Sequence, residues 1–370
     1  MYWYRRLDRN YTRPQRKLSR RTLLAGAGLT IFTHPSPLQA ATKLAFTITE
    51  LPSELANLTG TFGRAINRKA TVVGIATGEL GPSAVRSRGK TAWNLPSTNL
   101  PSIANAINDA GVITGSVDSR AALWIDDEPQ LLPGFDSGPT TAYGINAARV
   151  VVGSADQGAN RGVAVQWDGN DAIELASLGG PSSRALGINA DGVIVGYSTR
   201  DADGELVRAV RWVDGEIEEL GTLGGETSQA TAINRRGEIV GMSTGEDGFS
   251  AVDHAFRWRD GQMTRLGRLG KTRIRGRSGA IKLDRSVALG VNDDGEVCGI
   301  SMSASENDPV SVATVWLDDD AVDLNATIGK ASREIVLTSA DGINRDRDLV
   351  CTGYLVGEEH LSRLFRLEPA

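Results

Sequence analysis

From about residue 60 to residue 353 the chain alternates short apolar runs with clusters of turn residues, and it does so on a repeating template. In residues 226–245 small and polar positions alternate from Ser228 to Ile233. A turn, Asn234-Arg235-Arg236-Gly237, follows, and then an apolar run ending in Gly241. Period-two alternation over four to eight residues, bounded by Asn and Gly, predicts a β-hairpin. Asparagine can bond its own backbone two residues on, and glycine supplies a positive φ. The same core recurs over 65–74, 106–115, 144–153, 187–196, 232–241 and 290–299, with a seventh copy at 342–353 that reads as carrying an insertion. Its anchors are Asn67, Asn108, Asn146, Asn189, Asn234, Asn292 and Asn344, spaced by 41, 38, 43, 45, 58 and 52 residues. A period of this size marks a propeller or a repeat array.

Each hairpin is followed by a third strand bearing an aromatic (Trp93, Trp124, Trp167, Trp212, Trp258, Trp316 and finally Phe365) and then by a fourth strand, as at 216–220 and 262–266. Four strands in each of seven units predict an all-β, seven-bladed β-propeller. The seventh unit stops after its third strand, while a spare strand over 44–51 precedes the first unit. Joining the two closes the ring and hides two sheet edges, whereas an open solenoid, the alternative, leaves both exposed. Two residues before each asparagine the chain is always Ala or Gly, and four before it is Gly63 or an alanine. That is what blades converging on an axis require. The asparagines and tryptophans accordingly read as scaffold, not as a ligand ring or a sugar platform.

Residues 220–225 (Leu-Gly-Thr-Leu-Gly-Gly), 228–241 and 254–258 (His-Ala-Phe-Arg-Trp) together resemble the HAF repeat family of exported bacterial proteins. The resemblance covers most of 60–367 and is sharpest in the third to fifth copies. It implies an exported repeat protein and brings no activity with it. Only His254 keeps the family's histidine; Arg120, Val163, Arg208 and Val312 stand in its place elsewhere, which excludes a ring of histidine-bound metals.

Export is also legible at the N-terminus. Ser19-Arg20-Arg21-Thr22-Leu23-Leu24 resembles a twin-arginine signal, followed by a weakly apolar run to Phe32 and the small pair Ala40-Ala41. Residues 1–41 are thus expected to be a signal peptide, and 42–370 the propeller, with a periplasmic or extracellular destination. The apolar run is short for a bilayer, so no stable membrane insertion is expected once the signal is removed. The formal net charge is −5, but residues 1–41 hold eight basic residues and one acid, leaving a body of −12. A body so acidic argues against nucleic acid as a partner. The only cysteines, Cys298 and Cys351, read as buried thiols, with a bridge as the alternative.

Candidate chemistry is sparse. No zinc spacing, phosphate-binding loop or nucleophile elbow is present, and no cofactor is expected. Residues 201–205 (Asp-Ala-Asp-Gly-Glu) have a Ca²⁺-loop flavour but lack the ligand set, and a hairpin turn is the better reading. Three residues before the asparagines stand Arg64, Asn105, Tyr143 and, in the last unit, Asp341. In a closed ring these meet on consecutive blades near the axis, with Arg184 and Gln229 one layer away. They could form a polar pocket, with Tyr143, Arg64 and Asp341 as catalytic candidates of a polysaccharide lyase or hydrolase. The other reading is a non-enzymatic binding module. Residues 271–285 hold Lys271, Arg273, Arg275, Arg277, Lys282 and Arg285 against Asp284 alone. On an acidic body such a loop, with Arg273, Arg275 and Arg277 as ligand-binding candidates, suits an anionic polymer. A protein partner is the other expectation.

Overall fold

The computed structural model describes residues 44–370, apart from 53–57, 80, 98–99, 135–137, 159–160, 170, 246–251, 274–279 and 304–308. The expected signal peptide, with its boundary at 41, lies outside the described residues. Among the described residues no helix is long and apolar enough to cross a membrane.

Seven four-stranded antiparallel sheets form the blades of a β-propeller. Their inner strands are Leu58–Ile66, Ser102–Ile107, Thr140–Ile145, Ser183–Ile188, Gly224–Ile233, Arg285–Val291 and Ile335–Ile343, in blades 1 to 7. Each inner strand touches the next, and that of blade 7 touches that of blade 1, so the ring is closed. Closure follows the expected route. The N-terminal strand Phe46–Glu50 pairs antiparallel with Arg363–Pro369 and supplies blade 7 with its outer strand. Two short 3-10 turns, Leu324–Ala326 and Gly329–Arg333, lead from blade 6 into blade 7.

The hydrophobic core is divided among the blade interfaces rather than gathered at a centre. Trp167 joins Val112, Leu123 and Val151 between blades 2 and 3; Trp212 joins Val152, Leu175 and Ile194 between blades 3 and 4. Between blades 6 and 7 lie Cys298, Cys351, Phe365 and, from the N-terminal strand, Phe46. Five of the tryptophans are buried in these interfaces, as expected. Trp93 is the exception. It lies on the outer strand Thr91–Asn94, not on the third, and Ser87 takes the aromatic's place in blade 1.

One irregularity is repeated around the ring. In every inner strand the register slips by one residue just before the small residue that precedes Ile/Val-Asn, as between Ala142 and Gly144. This β-bulge explains the template's last glycine. A Cβ on Gly74, Gly115, Gly153, Gly196, Gly241 or Gly299 would lie 1.8–2.1 Å from an inner-strand carbonyl oxygen. In blade 7 the expected insertion is absent. The Asn344 turn has the same length as the others, Cys351 stands opposite the bulge, and Gly353 answers a second slip between Leu337 and Ser339. The small residues before the asparagines also have their reason: a Cβ on Gly144 would meet the Cα of Gly187 in the next blade at 3.3 Å.

Candidate functional site

The seven asparagines are buried and do two things at once. Each Oδ1 accepts backbone N–H groups from its own turn, as from Thr71, Val112, Val150, Val193, Glu238, Glu296 and Asp348. Each Nδ2 donates to the backbone carbonyl of the next blade's asparagine. The bonds run from Asn67 to Asn108 (3.0 Å), on to Asn146 (3.1 Å), Asn189 (3.3 Å), Asn234 (3.3 Å), Asn292 (2.9 Å) and Asn344 (3.2 Å), and back to Asn67 (3.0 Å). Oxygen and nitrogen of every side chain are committed to the fold, so this ring is scaffold.

The positions three before the asparagines are the bulge residues. They lie on the axial side and are partly exposed, while the alanine before them in blades 2 to 7 is fully buried. The bulge thus turns one side chain per blade out of the interface. Several spend their polarity on the next blade. Asn105 donates to the carbonyl of Ala142 (2.9 Å), and Thr231 donates to that of Ala288 (2.7 Å). Asp341 accepts from Ser339 and from Thr352, both at 2.6 Å, and Thr352 Oγ1 accepts the Gly63 N–H of blade 1 at 3.1 Å. Burial pushes the Asp341 carboxyl up, against those two hydrogen bonds and the attraction of the Arg64 guanidinium. Tyr143 faces blade 4, with the Arg184 guanidinium 5.3 Å from its ring centre and 5.9 Å from that of Tyr197. Gln229 is buried. The sequence-predicted cluster is therefore divided: Asp341 is held by Ser339 and Thr352, Tyr143 meets Arg184, and Asn105 is tied into the wall.

The basic stretch is a hairpin, Gly270–Thr272 paired with Ile281–Leu283, inserted between the outer strand of blade 5 and the inner strand of blade 6. Lys271, Arg273 and Lys282 are exposed on it, and Arg268 is exposed at its base. Arg275 and Arg277 lie outside the described residues. Lys282 pairs with Asp284 at 3.3 Å, and Arg285 with Asp253 at 2.6 Å. Among the described residues no carboxylate pairs with Arg268, Lys271 or Arg273. Several arginines of the blades are neutralised: Arg86 by Asp127, Arg211 by Glu218, Arg235 by Asp293, Arg257 by Asp319 and Arg347 by Glu296, while Arg68, Arg88, Arg120, Arg149, Arg333 and Arg345 are exposed with no paired carboxylate among the described residues.

The remaining candidates resolve as structure. Asp201 accepts the Leu206 N–H at 2.7 Å and the Glu205 N–H at 3.2 Å, which hold its carboxyl below the usual range and make the 201–205 segment a self-capped turn. His254 is buried, and Arg265 Nη2 lies 2.8 Å from its Nδ1; arginine can only donate, so Nδ1 accepts and the ring is neutral with its proton on Nε2. Cys298 and Cys351 are free, buried thiols, pushed up by desolvation. A feature that the repeat template does not signal is a pocket of about 240 Å³ between blades 3 and 4, on the face that carries the asparagine turns.

No family model matches this chain, and no curated protein does. Solved propellers are similar in shape. TolB from Acinetobacter baumannii has a TM-score of 0.46 at 14% identity over 67% of this chain, which spans 61% of that one. The β-propeller domain of the trilobed protease from Pyrococcus furiosus has a TM-score of 0.49 at 12% identity, over 85% of this chain and 98% of that one. The fold stands on the sheet topology itself, and at these identities the likeness carries nothing about activity.

Proposed function

We propose that this chain is an exported binding module that holds an anionic polymer on the hairpin between blades 5 and 6. The observation that carries the reading is the clustering of unpaired charge. Among the described residues, Arg268, Lys271 and Arg273 stand exposed without a carboxylate within six positions of one another, on a body of net charge −12. Concentrated, unneutralised cations attract a polyanion, and guanidinium groups grip carboxylate, sulfate or phosphate oxygens in pairs. The export half of the proposal rests on the twin-arginine-type segment at 19–24 and on the resemblance to the HAF repeat family.

The enzymatic reading has less support. Tyr143 is engaged with Arg184, and Asp341 with Ser339 and Thr352, so an acid, a base and a phenol do not converge on one point. The test is a thermal-shift titration of residues 42–370 with sulfated and carboxylated oligosaccharides at low salt. Binding to the native state raises the melting temperature, and the shift should shrink as ionic strength rises. It should vanish in Arg268→Ala/Lys271→Ala/Arg273→Ala. A shift that survives this triple substitution removes the hairpin as the site, and no shift with any polyanion overturns the proposal.

A further inference from the structure

The residue just before the third-strand aromatic (before Ser87 in blade 1) lies at the blade interface on the asparagine-turn face, and its identity changes around the ring. It is Arg86, Leu123, Gln166, Arg211, Arg257, Val315 and Leu364 in blades 1 to 7. Where it is aliphatic, it is buried. Where it is arginine, the guanidinium fills the gap toward the next blade. Arg86 pairs with Asp127, the second residue of the next blade's outer turn. Arg257 does the same with Asp319 (2.8 Å) and donates to the Gly295 carbonyl (2.8 Å). Arg211, whose partner position is Gly261, turns to Glu218 and stands with its guanidinium carbon 4.5 Å from the centre of the Trp258 ring.

Between blades 3 and 4 both halves of that arrangement are missing. Gln166 replaces the arginine, and Gly215 replaces the aspartate of the turn. The pocket of about 240 Å³ is found there, lined by Gln166, Asp191, Gly192, Trp212, Asp214 and Gly215 among others. A Cβ on Gly192 or Gly215 would meet nothing within 4 Å. At Gly295, the counterpart of Gly192 in blade 6, a Cβ would meet Arg236 at 2.8 Å and Arg257 at 3.2 Å. Two of the groups that meet a guanidinium elsewhere in the ring have counterparts at this interface: the Gly192 carbonyl stands where that of Gly295 does, and Trp212, 1% exposed, where Trp258 does. Two exposed carboxylates, Asp191 and Asp214, border the space, and among the described residues no cation pairs with either.

We infer that this pocket binds a guanidinium group from outside the chain, in the place that an arginine of the chain occupies at three other interfaces of the ring. A planar cation of this kind can meet an aromatic surface, donate in pairs to carboxylates and reach a carbonyl together, which a compact ammonium cannot. The site lies on the opposite face from the cationic hairpin and takes a ligand of opposite charge, so it stands independently of the polyanion reading.

The test is calorimetric titration of residues 42–370 with agmatine, putrescine and N-acetyl-arginine amide, up to about 10 mM. Agmatine should bind one to one, and putrescine at least about tenfold more weakly. Equal binding of N-acetyl-arginine amide identifies an arginine side chain as the natural ligand; binding of agmatine alone identifies a small guanidino compound. Gln166→Arg/Gly215→Asp rebuilds the internal pair and should abolish binding. The positions of Asp127 and Asp319, with φ of 69° and 68°, show that a non-glycine residue is accepted in that turn. Asp191→Asn/Asp214→Asn, confined to exposed turns, should weaken binding at least about fivefold. Absence of agmatine binding, or unchanged affinity in the folded asparagine double variant, overturns the inference.

Discussion

At the scale of single residues, Asp341 is a carboxyl whose surroundings oppose its charge. Its carboxyl sits where burial disfavours charge, and its hydrogen bonds from Ser339 and Thr352 only partly offset that. The folded protein therefore keeps this proton to a higher pH than the unfolded chain does. Between the two pKa values the native state binds more protons, so stability falls as pH rises through that window, and the penalty persists above it. Asp341→Asn should thus be more stable than the parent at pH 7, with the difference closing on acidification to about pH 4. Urea unfolding at the two pH values checks this, and a difference independent of pH would assign Asp341 no titrating role. The row to which Asp341 belongs was legible as spacing from the asparagines. Its partners were not, because a bulge's side-chain direction depends on the register of the neighbouring strand. The same holds for Trp93. Its spacing from Asn67 suggested a third strand, but blade 1 pairs its third strand in a register that puts Ser87 where the aromatic would be.

At the scale of the element, the bulge and the glycine opposite it form one unit. The inner strand carries one residue too many, its carbonyl is pushed toward the second strand, and only a residue without a Cβ fits there. Gly153→Ala would bring a methyl to 2.0 Å from the Thr141 oxygen. The backbone must shift to admit it, at a cost of about 3 kcal/mol. Equilibrium unfolding measures this directly, and a loss under about 1 kcal/mol would mean the bulge is soft. This unit explains why Asn and Gly recur together with a fixed gap in six copies. It also explains why the seventh copy, with Cys351 in the glycine's place, looked like an insertion in the sequence and is not one in the structure.

At the scale of the whole molecule, stability depends on the seam made where the N-terminal strand completes blade 7. Leu44 and Phe46 enter the core between blades 6 and 7, and Leu51 enters that between blades 7 and 1. Burying three large apolar side chains stabilises by about 5 kcal/mol or more, which is a large share of a typical domain's stability. A chain of residues 52–370 should lose that and expose the edge of Arg363–Pro369. Compared with 42–370, it should melt at a markedly lower temperature and associate on size-exclusion chromatography. A monomer with an unchanged melting temperature would show that the seam adds little. The seam was the part of the fold most legible in the sequence, because a missing fourth strand and a spare first one can be counted. The guanidinium-sized gap was the least legible, since it lies in the difference between one repeat and its neighbours.

The asparagine ring carries a last consequence. Its seven donors all point the same way around the axis, and the bond from Asn344 to Asn67 is no different in kind from the other six. A hoop of this sort has no first link. The order in which the blades are synthesised leaves no mark on it, and a chain rethreaded to begin in blade 4, with its present ends joined, would close the same hoop.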